Sequence, residues 1–224
     1  MKAISNLIFI ILLIGCSSKS TNSEEIIKKA VDKIESSSFD YGYSKKGLYK
    51  NNYFNFKMKF DTTWYLQSQK QLNKLVQEGK KMLKDSNKLK EAIEASEIKT
   101  AYLFAVFKYK RGSKTKFNPS LIILAENTKK MTDVKKGADY LFHVKENLIK
   151  TKLNYIFNDG YYSKIYANKK FDILTAHLKR DSLSITQKYL TSVTGRFTLS
   201  MIVSYSSDKE KTELDKILNS MKAI

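Results

Sequence analysis

Two histidines, His143 and His177, are the only imidazoles in 224 residues, and a predicted helix end and several predicted strands separate them. Neither sits in an HExxH pattern, and no DxDxDG run is present, so zinc hydrolysis and EF-hand calcium binding both lack their ligand spacing. Both histidines read as boundary or core residues that hold a hydrogen bond. No GxSxG elbow surrounds a serine, and Gly112, Gly137, Gly160 and Gly195 are isolated rather than grouped into a loop that cradles phosphate. Asp139, Asp159, Asp172 and Asp181 supply carboxylates, but sequence separation leaves open whether any two face each other across a cleft. The expectation is a chain with no catalytic residues, no metal ligands and no cofactor.

Two clusters offer binding chemistry instead. Lys108, Lys110, Arg111, Lys114 and Lys116 crowd around Gly112, with Tyr109 and Phe117 adding flat apolar area. They supply point charges and a guanidinium fork for phosphate or carboxylate groups. The same composition is what a solvated hairpin needs to keep two apolar strands soluble. Tyr161, Tyr162 and Tyr166, with Lys164, follow Asn158-Asp159-Gly160. Tyrosine suits an interface because one side chain carries apolar area and a hydroxyl, and it equally suits the edge of a sheet.

The one thiol lies at the other end of the chain. Lys2 precedes an apolar run from Leu7 to Ile14, and Leu13-Ile14-Gly15-Cys16 resembles the lipobox of bacterial lipoprotein precursors. The run is shorter than the ~20 residues a spanning helix needs. Residues 1–15 are therefore expected to be a signal peptide, and Cys16 the acceptor of a lipid that anchors the protein to membrane. Ser17, rather than aspartate, follows the cysteine, which in a Gram-negative envelope would direct the protein to the outer membrane. Acylation of Cys16 would leave no free thiol, excluding disulfides and cysteine nucleophiles.

The formal charge of +19 needs a polyanion or an explanation. Export argues against nucleic acid and leaves lipid headgroups, anionic surface polymers and acidic envelope proteins as partners. Lysine is also scattered over every segment, which is how a compositional bias looks.

These groups are carried by a recognisable run of elements. Residues 17–23 form a small polar spacer, and Ile26, Ile27, Ala30, Val31 and Ile34 recur at helical spacing after it. Residues 16–40 are thus read as an acylated tether with a short amphipathic helix, and 41–224 as the folded domain. Leu48, Phe54, Phe56, Met58 and Phe60 alternate with lysines in strands joined by a turn at Asn51-Asn52, and Trp64 is expected to plug one end of the core. A helical stripe runs through 71–98. Residues 101–107 and 120–126 read as strands buried on both faces. A helix over 134–149 is expected to carry Ala138, Leu141, Phe142 and Ile149 inward. Strands follow at 153–158, 171–178, 184–191 and 197–205, and Leu214, Ile217, Leu218 and Met221 mark a last amphipathic helix. Alternation in several strands predicts one face toward the helices and one toward solvent.

The order of elements, with GLYKNNYFNFKMKFDTTWYL at 47–66, QKYLTSVTGRFTLSMIVSY at 187–205 and LDKILNSMKAI at 214–224, resembles the PsbP-like fold. Phe60 and Trp64 fit that family's aromatic–turn–tryptophan pattern, while Asp61 stands at its usual proline and Asn55 where glycine is common. The resemblance implies an α+β domain, an antiparallel sheet sandwiched by helices, working as a non-catalytic accessory or binding module for a membrane-associated complex. An envelope enzyme or a small-ligand carrier on the same sheet is the alternative.

Overall fold

The computed structural model describes residues 40–68, 70–72, 74, 100–151, 153–180 and 182–224. The expected signal peptide, the tether with its short helix, and most of the helix expected over 71–98 lie outside the described residues. Within them the chain is an α+β sandwich. An antiparallel sheet of eight strands is flanked by a helix on one face and by a second helix and a small sheet on the other.

The small sheet comprises β1 (Tyr43–Lys45), β2 (Leu48–Asn51) and β3 (Phe56–Lys59), all antiparallel. The Asn51-Asn52 turn forms as expected. Asn51 is buried, its Oδ1 accepts from the Phe54 N–H at 2.8 Å, and its Nδ2 donates to the Asp40 carbonyl at 2.9 Å. Asn55, where the related pattern favours glycine, has φ 50°, a left-handed conformation that asparagine tolerates better than most side chains. Tyr49, rather than Leu48, is the buried apolar side chain of β2, because the inward parity there falls on the odd residues.

The large sheet orders its strands as β4 (Tyr65–Leu66), β5 (Thr100–Phe107), β6 (Ser120–Asn127), β11 (Phe197–Tyr205), β10 (Leu183–Thr194), β9 (Lys169–Arg180) and β7 (Tyr155–Phe157), with β8 (Tyr162–Tyr166) also on β9. β11 sits at the centre, and all nine of its residues are buried, with Phe197, Leu199, Met201, Val203 and Tyr205 turned to one face and Ile202 with Thr198, Ser200 and Ser204 turned to the other. On one face Phe56, Met58, Trp64, Met201 and Val203 share a core with Leu214, Ile217 and Leu218 of helix α2 (Asp208–Asn219). On the other, helix α1 (Gly137–Ile149) brings Tyr140, Leu141, Val144 and Leu148 onto Ile122, Leu174, Tyr189 and Ile202. Leu72 joins this second core. Phe142 and Ile149, expected inward, are instead 56% and 57% exposed, because Tyr140 and Val144 take the inward stripe and turn those two to its outer side.

α2 begins at Ser207, whose hydroxyl accepts from the Glu210 N–H, while the Glu210 carboxylate reaches back to the Ser206 N–H at 2.7 Å. After α2, Lys222 exchanges two backbone hydrogen bonds of 2.9 Å with Lys57, fastening the chain to β3.

Candidate functional site

β7 and β8 run along the same side of β9 as one interrupted edge strand. Phe157 opposes Ala176 and Tyr162 opposes Ile173, so the four residues 158–161 stand against only Leu174 and Thr175. This bulge turns on Gly160 at φ 67° and is held by the Asn158 N–H donating to the Thr175 carbonyl at 3.0 Å. It places the Asn158 Oδ1 2.9 Å from His177 Nε2, and His177 Nδ1 lies 3.1 Å from the Thr186 hydroxyl. His177 therefore serves as a cross-strand hydrogen-bonding residue on the sheet face. His143 makes a 2.6 Å contact with Asp133, joining α1 to the loop before it.

Beyond α2, the sheet face is covered only in part by the described residues. Strand parity puts Tyr162, Lys164 and Tyr166 of β8, Thr175 and His177 of β9, Thr186 and Lys188 of β10 and Tyr205 of β11 on this side. The Lys188 ammonium lies 5.8 Å from the centre of the Tyr205 ring. Burial pulls Lys188 below the ordinary lysine value, Asp215 opposes, and the charges of Lys211 and Lys164 push it further down. Asp215 is bound to Lys211 at 2.8 Å, so no carboxylate among the described residues pairs with Lys188. The neighbouring hydroxyls respond to the same surroundings: burial raises Tyr166 and Tyr205 above the ordinary tyrosine value.

Of the residues singled out in the sequence, Tyr162, Lys164, Tyr166 and His177 reach this face. Tyr161 points the other way, toward α1, where burial and the charge of Glu146 raise its pKa. Lys188, Tyr205 and Lys211 were not singled out. Their only sequence signal is a lysine at an inward parity of β10, which acquires meaning once α2 is packed beside it.

The basic loop is an ordered hairpin. Asn118 clasps Tyr109 through both its amide atoms, at 2.9 and 2.8 Å. Lys108 is committed to Glu213 of α2 at 2.5 Å; burial lowers its pKa, but the Glu213 hydrogen bond and charge outweigh burial and leave it raised. Phe117, expected to add exposed flat area, is buried with Leu178 and Ile185. Lys110, Arg111, Lys114 and Lys116 remain exposed around Gly112, which has φ 84°. The carboxylates divide in the same way. Asp139 caps its own helix by accepting from the Lys135 and Lys136 N–H groups, and Asp172 accepts from Ser163 and from the Ala138 N–H at the start of α1. Asp159 is exposed in the bulge, and Asp181 lies outside the described residues. No group of His, Cys, Asp and Glu among the described residues is arranged to hold a metal ion.

No protein-family model matches the chain, and no curated protein matches it in sequence. Among solved structures it is similar to cyanobacterial PsbP (CyanoP) from Synechocystis sp. PCC 6803, at 10% identity and a TM-score of 0.47, over 81% of this chain and 98% of that one. It is also similar to LpqN, involved in cell envelope biogenesis of Mycobacterium tuberculosis, at 11% identity and a TM-score of 0.42, over 75% of this chain and 82% of that one. A Bacteroides thetaiotaomicron protein aligns at 9% identity and a TM-score of 0.38, over 76% of this chain, which spans only 45% of that protein's length. CyanoP belongs by its name to the family whose pattern residues 47–66 resemble. Likenesses of this size say nothing about activity or partner.

Proposed function

We propose that this chain is a non-catalytic accessory module of a bacterial envelope, lipid-anchored through Cys16, that binds an acidic partner on the face formed by Tyr162, Lys164, Lys188, Tyr205 and Lys211. The observation that carries the reading is Lys188. A half-buried ammonium with two lysines near it, and with the one nearby carboxylate among the described residues, Asp215, bound to Lys211, is a local excess of charge that an anionic group would relieve. Exposed Tyr162 adds apolar area and a hydroxyl on the same face, and the buried Tyr205 ring lies against the ammonium, the composition of a binding surface rather than of an acid–base site. The apolar run and Cys16 support the envelope address, and Ser17 favours the outer membrane if that envelope is Gram-negative. Envelope proteins and anionic surface polymers are then the available partners.

The test is covalent crosslinking in intact cells, comparing the wild-type chain with a Lys164→Gln/Lys188→Gln variant of equal abundance. The expected result is a reproducible acidic partner captured by the wild type and lost from the variant. If neutralising Lys110, Arg111 and Lys114 removes the partner instead, the binding surface is the basic loop, and unchanged capture in both variants overturns the reading. Cys16→Ala should move the protein out of the membrane fraction.

A further inference from the structure

We infer that the acidic partner binds as an extended strand added to the outer edge of β8, with acidic side chains on the α2 side and apolar ones on the α1 side. This rests on the reading above and specifies the form the partner takes. Among the described residues β8 is paired on one side only, by β9. The β8–β9 connection is a two-residue turn, Ala167-Asn168, with φ 50° and 60°, the left-handed pair of a type I′ hairpin. In such a hairpin the residues flanking the turn form a hydrogen-bonded pair, and bonded and non-bonded pairs alternate from there. Tyr166–Lys169, Lys164–Phe171 and Tyr162–Ile173 are then the bonded pairs. The backbone N–H and C=O groups of Ser163 and Ile165 point away from β9, toward the open edge.

The side chains along this edge set what can join it. Ile165 is 74% exposed on the α1 side, a large apolar residue at the open edge. Beside it Lys170 turns its ammonium toward Asp172, at 3.8 Å. On the α2 side the edge presents Tyr162 and Lys164, with Lys188 two strands further in, on β10 across from Thr175. A lysine on an edge strand ordinarily repels or fails to suit an incoming apolar strand. Here the same lysine complements an acidic one, and Ile165 meets the apolar residues that alternate with the acids. Strand addition of this kind draws affinity from main-chain bonds and specificity from the alternating side chains.

The test uses the full chain in detergent micelles, titrated with an extended peptide of about eight residues that alternates glutamate and valine, and with a lysine–valine peptide of equal length. The expected result is binding of the glutamate peptide alone, with amide exchange at Ser163 and Ile165 slowed about tenfold or more and that at Lys164, already turned to β9, unchanged. Lys164→Glu/Lys188→Glu should reverse the preference between the peptides. Ile165→Pro removes an outward N–H without touching the β9 ladder and should abolish the slowing. Because proline in a strand can also disturb folding, the charge-reversed variant stands as an independent test. Binding of the glutamate peptide without slowing at Ser163 and Ile165 overturns strand addition while leaving an acidic partner in place. No binding, or equal binding of both peptides, overturns both.

Discussion

The Gly137 carbonyl accepts from the Thr191 hydroxyl at 2.9 Å, and a Cβ built on Gly137 would stand only 2.2 Å from the Thr191 carbonyl oxygen. α1 starts in direct contact with the backbone of β10, and only glycine permits that approach. Gly137→Ala must push the first turn of the helix off the sheet, disturbing also the Ala138 N–H bond to Asp172. A loss of about 1–3 kcal/mol is expected, the range of overpacked sites, read as a lower urea midpoint at unchanged slope.

Tyr140 and Glu126 form a second link between α1 and the sheet, with the tyrosine hydroxyl donating to a carboxylate that is 2% exposed. Burial, with the charge of Glu126 next, pushes the Tyr140 pKa well above its ordinary value, so the hydroxyl remains a donor throughout the accessible pH range. Tyr140→Phe keeps the ring and removes that donor from a buried charge. The expected cost is about 1–3 kcal/mol in urea unfolding. Leu141→Ala, nearby in the same core, provides a reference for purely apolar loss.

The contrast between β11 and β8 shows what was legible in the sequence. Residues 197–205 were expected as a strand and form one with those bounds, because Phe197, Leu199, Met201, Val203 and Tyr205 alternate onto the α2 face while Ile202 packs on the other. β8 was read as a tyrosine cluster suited to an interface or to the edge of a sheet, without strand bounds. Asn158-Asp159-Gly160 looks like the end of one element, and nothing local tells that the chain resumes pairing with the same strand, β9, after the bulge. Likewise Phe142 and Ile149 were placed inward because they are apolar, whereas the fold buries the more polar Tyr140 and Asn147 on α1. The proposed binding face was half visible, through Tyr162, Lys164 and Tyr166. Its other half, Lys188 with Tyr205 and Lys211, exists only once β10, β11 and α2 are brought together over long sequence separations.

Ala167 occupies the first central position of the β8–β9 turn at φ 50°, a conformation in which its Cβ is strained. Asparagine is favoured there because its side chain tolerates the left-handed region. Ala167→Asn is expected to stabilise the chain by about 0.5–1 kcal/mol. Thermal unfolding measures it directly, and a decrease in midpoint would mean that burial of the Ala167 methyl against the neighbouring core outweighs the backbone strain.

Lys188 gives binding and stability opposite responses to alkaline pH. In the proposed complex its charged form holds the acidic partner, and its pKa is lowered from 10.5 first by burial and then by Lys211 and Lys164, with Asp215 opposing. Affinity is therefore full near neutrality and falls as pH rises through the lowered value, before ordinary lysines titrate. Folding runs the other way. The folded state penalises the charged ammonium, so the unfolded chain holds its proton to higher pH and the unfolding free energy rises across the same window. Lys188→Gln should remove both the early loss of affinity and the alkaline gain in stability. Fluorescence anisotropy of a labelled glutamate–valine peptide, followed from pH ~7 to pH ~10, measures the first, and urea unfolding over the same range measures the second. Identical affinity profiles for the wild type and the variant would take Lys188 out of the binding surface, whereas a wild-type profile that falls early while its stability climbs ties the missing carboxylate of Lys188 to the partner it binds.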